Sequence, residues 1–235
     1  MGRQWLHSKR EVNSSRRAKI TSKLVRHITI AAKLGAPDPE MNPRLAVAVE
    51  AARKQSVSND VITRAIKKAS GAGAEAAQLE LVIYEGMSPQ NVPVIVEVLT
   101  DNRNRTAPEM RTLFRDGKLG AKVMFFFNHV GLIEATHETG GQDLETVAIE
   151  AGAQDVEPIE GYDEDGSAAR FFTEPTDLDT VTSALRKSGW SVTQAEMGYR
   201  PKEKTALTPE KKASLENFLE ALDDHDDTHR VYAAI

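Results

Sequence analysis

Apolar positions in the first third of the chain recur at intervals of three and four. From Ser14 to Leu34, the residues Ile20, Leu24, Ile28 and Ala31 share one helical face, and Gly35 with Pro37 and Pro39 ends the run. Asn42 is placed to cap a second helix, with Pro43 in its first turn and Leu45, Ala48, Val49 and Ala52 as its stripe. Ser58 is placed to cap a third, with Val61, Ile62, Ala65, Ile66 and Ala69 inward and Gly71 as the stop. Three short amphipathic helices bury their stripes most economically on one another, which predicts a three-helix domain over residues 1–74.

Residues 70–78 hold no large apolar side chain and read as a linker. Beyond them the period changes to that of strands. Leu79 to Tyr84 and Val92 to Leu99 are β-rich and flank a turn at Gly86 and Pro89; Thr106 with Glu109 reads as a capping box opening a helix; Lys122 to Asn128 reads as a strand. A second series follows: strand Gly131 to Thr136, helix Leu144 to Ala151, strands Val156 to Glu160 and Ala168 to Thr173, a helix capped by Thr176 and stopped at Gly189, then strand Trp190 to Gly198. That order is the split βαβ plan. The helix opened by Thr208 and Pro209, and the strand Arg230 to Ile235, are left over from it and complete the earlier series. The expected organisation is α+β, with residues 132–200 inserted into a discontinuous domain formed by 79–131 and 201–235. Three sequential domains are the alternative.

Charge divides the chain more sharply than its pI of 5.8 suggests. Residues 1–72 hold fifteen of the thirty Lys and Arg against five acids, leaving this segment at +10 and the rest at −15. A pole of this kind attracts polyanions. On the first helix, Arg16, Lys19, Lys23, Arg26 and Lys33 fall within about a third of the circumference. Lys9 and Arg10 lie just upstream beside Trp5, whose indole suits either core packing or stacking on a base. Arg64, Lys67 and Lys68 form a second cluster on the third helix. The stretch Thr100 to Thr106 offers Arg103 and Arg105 at a helix entry, where they suit phosphate or pairing with acids.

Other chemistries find little support. There are no cysteines, which excludes disulfides and thiolate chemistry. No phosphate loop, nucleophile elbow or HExxH motif is present, so no catalytic residue, metal site or cofactor is expected. His225 and His229, amid Asp223, Asp224, Asp226 and Asp227, read as a solvated turn rather than a metal site, and the acidic run 155–165 as a polar loop. A remote alternative is an enzyme using an inter-domain cleft, with Asp101, Arg103 and Arg105 as its polar groups. The start of the chain is basic without an apolar run behind it, and no stretch is long enough to span a membrane, so a cytoplasmic protein is expected.

Several motifs together resemble the YebC family, also called PmpR-type and related to the mitochondrial translational activator of cytochrome oxidase. They are Ala31 to Gly35, Asp38-Pro39 with Asn42 to Leu45, Arg64 to Lys68, Tyr84-Glu85-Gly86, the 100–106 stretch, Glu150 to Ala153 with Asp155 to Glu157, and Val231-Tyr232. The resemblance implies a helical N-terminal domain and two ferredoxin-like α/β domains, one inserted in the other. It implies a non-enzymatic partner of nucleic acid, either a DNA-binding transcriptional regulator or a ribosome-associated translation activator binding rRNA. The oligomeric state stays open, with a monomer allowed. Departures from the family pattern lie in the opening Gly2 to Lys9, the turn Ser88 to Asn91, and the loop Gly117 to Gly120.

Overall fold

The computed structural model describes residues 4–71, 80–159 and 167–235, with the side chains of residues 4–17 outside that description. The expected linker therefore falls mostly outside the described residues, as does most of the acidic run. Backbone contacts divide the chain into two units, Met1–Ala76 and Ala77–Ile235.

The first unit is helical: α1 (Gln4–Leu34), α2 (Pro43–Lys54) and α3 (Asn59–Ala69). Its core is Ile28, Ala32, Leu45, Val49, Ala52, Val57, Ile62 and Ala65, close to the stripes expected. Ile20 departs from expectation and is 43% exposed. The reason is length. At 1.5 Å per residue α1 runs about 46 Å, whereas α2 and α3 reach about 18 and 16 Å, and among the described residues their core contacts on α1 run from Leu24 to Ala32. The helix also begins well before Ser14.

Asn42 does more than cap. Its side-chain oxygen accepts the Leu45 N–H at 3.1 Å, while its amide nitrogen donates to the carbonyls of Ala31 and Ala36, each at 2.9 Å. One buried side chain thus ties the end of α1 to the start of α2. Gly35 makes room for it, since a Cβ there would lie 2.5 Å from the Asn42 amide nitrogen. Ser58 stands at the cap position of α3 but makes no side-chain capping bond.

The second unit holds two antiparallel sheets. Its elements are β1 (Glu80–Met87), β2 (Pro93–Thr100), α4 (Arg103–Leu113), β3 (Lys118–Leu119), β4 (Phe127–His137), α5 (Leu144–Ala151), β5 (Asp155–Pro158), β6 (Ser167–Thr173), α6 (Leu178–Lys187), β7 (Ser191–Pro201), α7 (Pro209–Asp223) and β8 (Thr228–Ala233). One sheet has the order β3-β1-β2-β8, so its last strand comes from the far end of the chain. The other has the order β5-β6-β4-β7, the ferredoxin-like arrangement of a split βαβ series, and all its strands lie between β3 and β8 in sequence.

Strand β2 is buried along its whole length. Val94, Val96 and Val98 pack with Met110 of α4, with Phe114 just past its end and with Leu222 of α7. Val92 and Ile95 pack with Val123, Phe127 and Tyr199. Cover on both faces explains its near-continuous apolar run in place of alternation. In the other sheet, Phe171 meets Trp190 edge to face, with centroids 5.4 Å apart. Gly152 ends α5 at φ +82, a left-handed position that suits glycine.

Three local expectations are corrected. Thr106 does not open α4: Asn102 caps it, accepting the N–H groups of Asn104 and Arg105, and Thr106 is buried one turn in. Residues Lys122 to Asn128 are not a strand: Met124–Phe126 form a 3-10 turn and Phe127 begins the long β4. Thr176 precedes α6 by two residues, and Asp177 holds the cap position.

Candidate nucleic-acid interface

On α1, Lys19 and Lys33 are exposed, and Lys23 and Arg26 are half-buried. Each of the four engages a polar or charged neighbour. Lys9, Arg10 and Arg16 belong to the part of α1 whose side chains are not described. On α3, Arg64, Lys67 and Lys68 are exposed, opposite the buried Ile62 and Ala65. Arg64 donates to the Asp60 carbonyl at 3.2 Å. Lys67 and Lys68 stand in the last turn, where the helix dipole favours cations. Residues 1–72 carry fifteen cations against five acids, so pairing within this segment alone leaves an excess of ten positive charges.

The 100–106 stretch is built differently. Arg105 makes a bidentate pair with Asp227 at 2.8 and 3.0 Å and reaches Asp101 at 3.3 Å. The Thr106 hydroxyl donates to the same Asp227 carboxylate at 2.7 Å. Burial raises the Asp227 carboxyl, but the bonds from Arg105 and Thr106 outweigh it and hold the pKa below the ordinary value. His225 lies 3.0 Å from Glu109, and its Nδ1 accepts the Asp227 N–H at 3.2 Å. The acidic turn after α7 is therefore a latch on the start of α4. Arg103 is 65% exposed and lies 3.6 Å from Glu80.

Between the second sheet and β8 lies a cleft of about 580 Å³. Asp101, Arg103 and Arg105, the groups expected for an enzyme, do not line it. Its arginines are matched internally: Arg170 to Glu134 at 2.7 Å, Arg200 to Asp155 and Glu157 at 2.6 and 2.7 Å, and Arg230 to Glu196 at 2.5 Å. Arg200 also lies over the Phe172 ring at 4.0 Å. Near this wall Glu97 of β2 is buried and accepts the Tyr232 hydroxyl at 3.2 Å. Burial, then the Glu196 carboxylate, push its carboxyl up to about 7, against the opposing pull of Tyr232 and Arg230.

Comparison with known proteins now bears on these two units. The family model described as the TACO1/YebC protein N-terminal domain matches residues 3–72. The model of the TACO1/YebC second and third domain matches residues 79–235. The chain belongs to the TACO1/YebC family. A relative from Pseudomonas fluorescens, described as a probable transcriptional regulatory protein, is 47% identical over 100% of this chain and 99% of its own. One from Bdellovibrio bacteriovorus with the same description is 46% identical over the full length of both. The fold is also similar to the crystal structure of a conserved hypothetical protein from Aquifex aeolicus. It has a TM-score of 0.81 and 39% identity, covering 93% of this chain and 89% of that one. Among the described residues, no helix is long and apolar enough to cross a membrane.

Proposed function

We propose that this chain is a non-enzymatic, cytoplasmic regulator of gene expression that grips a sugar–phosphate backbone through its first unit. The contacts are assigned to Lys9, Arg10, Arg16, Lys19, Lys23, Arg26 and Lys33 on α1 and to Arg64, Lys67 and Lys68 on α3. The carrying observation is the segregation of charge, +10 on residues 1–72 against −15 on the rest. The names of the relatives, probable transcriptional regulatory proteins, favour DNA as the ligand. Arg105 is held by Asp227 and stands outside this interface, and the arginines that line the cleft are paired with carboxylates of the same unit.

The test is binding to duplex DNA over a range of salt. Engagement of ~4–6 phosphates gives a log–log slope of about −4 to −5. A flat response rejects the proposal.

A second reading, translation activation on the ribosome, is favoured by a particular feature. The exposed residues of α3 include Asn59, Asp60, Thr63, Arg64, Lys67 and Lys68, a single amide side chain in the first turn rather than a set of Asn and Gln along the helix to read base edges in a groove. Recognition by phosphate and shape suits rRNA. Co-sedimentation with ribosomes, set against binding to a defined promoter at one salt concentration, separates the two.

A further inference from the structure

Three consecutive large apolar side chains, Met124, Phe125 and Phe126, stand 39, 62 and 40% exposed on the second unit. The two phenyl rings lie with centroids 4.0 Å apart at an interplanar angle of 35°. Their backbone is held from several sides. The Glu85 carboxylate accepts the N–H groups of Val123 and Met124 at 2.9 and 2.8 Å. Phe126 N–H donates to the Val123 carbonyl at 2.9 Å, and Lys202 N–H donates to the Phe126 carbonyl at 2.9 Å. Val123 and Phe127, on either side, are buried anchors. The rings are thus displayed on a locked turn, so a ligand meets a surface with little ordering entropy left to lose.

The surroundings of this turn select the ligand. Lys122 precedes it, and Lys202 and Lys204 follow the strand paired with it; all three are exposed, with Glu203 the acid between the last two. Asn128, two residues on, is exposed as well. An aromatic pair flanked by lysines and an amide matches a nucleobase with its phosphates, since a base stacks on the ring while cations meet the backbone. An apolar protein segment would leave those lysines without a counterpart.

We propose that Phe125 and Phe126 form a stacking platform for unpaired bases of a single-stranded nucleic acid, with Lys122, Lys202 and Lys204 meeting the flanking phosphates. This goes beyond the basic-face reading and rests on different residues and a different physical interaction. The test uses the full chain and a short fluorescein-labelled oligoadenylate, beside an abasic strand of equal length. The F125A/F126A variant should bind oligoadenylate roughly tenfold more weakly, with its salt slope unchanged and its affinity for the abasic strand unaltered. Phe125→Trp should restore binding. Equal affinity of wild type and F125A/F126A for oligoadenylate overturns the platform, as does failure of wild type to prefer oligoadenylate over the abasic strand. So does unchanged oligoadenylate affinity alongside loss of a protein partner, which would make the patch a protein-docking surface. None of these results bears on the salt slope on duplex DNA, by which the basic-face proposal stands or falls.

Discussion

Arginine and lysine play opposite parts in the two units. Residues 1–72, which hold the three helices, carry fifteen cations and five acids, a net excess of ten positive charges. In the sheet unit four arginines are absorbed. Arg105, Arg170, Arg200 and Arg230 each face a carboxylate at 3.0 Å or less, and they fasten one element to another. Where acids are plentiful, an arginine becomes a structural clamp. A count of cations therefore says little about a binding surface until their partners are known.

The strongest way to break this contrast is to reverse the helical face. Exchange of Arg16, Lys19, Lys23 and Arg26 for Glu should lower affinity for duplex DNA more than a hundredfold and flatten the salt slope by about 4. The buried core of α1 begins on another face, so the helical circular dichroism should stay unchanged.

Stability measurements sharpen the contrast from inside each unit. Asn42→Ala removes a cap and two bonds to the end of α1, and should cost about 3 kcal/mol by chemical denaturation. In the sheet unit, Glu97→Gln should act according to pH. The folded chain holds the Glu97 proton up to about 7, while the unfolded chain releases it near 4.5. Between those values the folded state alone binds the proton, so stability falls as pH rises through the window. The variant lacks this penalty. It should match wild type below the window and be more stable above it by up to about 3 kcal/mol.

Smaller effects are expected from the clamps. Asp227→Ala releases Arg105 and Thr106 from the start of α4 and should cost about 2 kcal/mol, with the duplex-DNA salt slope intact. Arg170→Ala breaks a pair that is 41 and 26% exposed, and should cost less than ~1 kcal/mol, again without touching the slope. A change of slope in either variant would assign those arginines to the interface and erase the contrast.

The elements were legible where the local signal was strong. Asn42 with Pro43, and Gly152 after an apolar helix, mark ends whose chemistry is completed within a few residues. Misreadings fell where a distant partner intervened. Thr106 with Glu109 has the spacing of a capping box, yet Asp227, far along the chain, takes the threonine hydroxyl. The run Lys122 to Asn128 has strand composition, yet the Glu85 carboxylate captures two of its N–H groups and folds it into a turn. The phenyl pair Phe125 and Phe126 has the composition of strand interior, yet it stands in solvent. The available signal was the five consecutive apolar residues Val123 to Phe127 between Lys122 and Asn128, which break the alternation of a half-buried strand.

Helical periodicity, capping residues and the imbalance of charge are properties of neighbours along the chain, and they decided the three helices and the basic character of the first unit. Which cations are consumed by acids, which aromatic rings stay in solvent, and where a carboxyl such as Glu97 holds its proton depended on residues brought together from remote positions. Coulombic pairing and desolvation act over a few ångströms of space, and only the folded chain sets those distances.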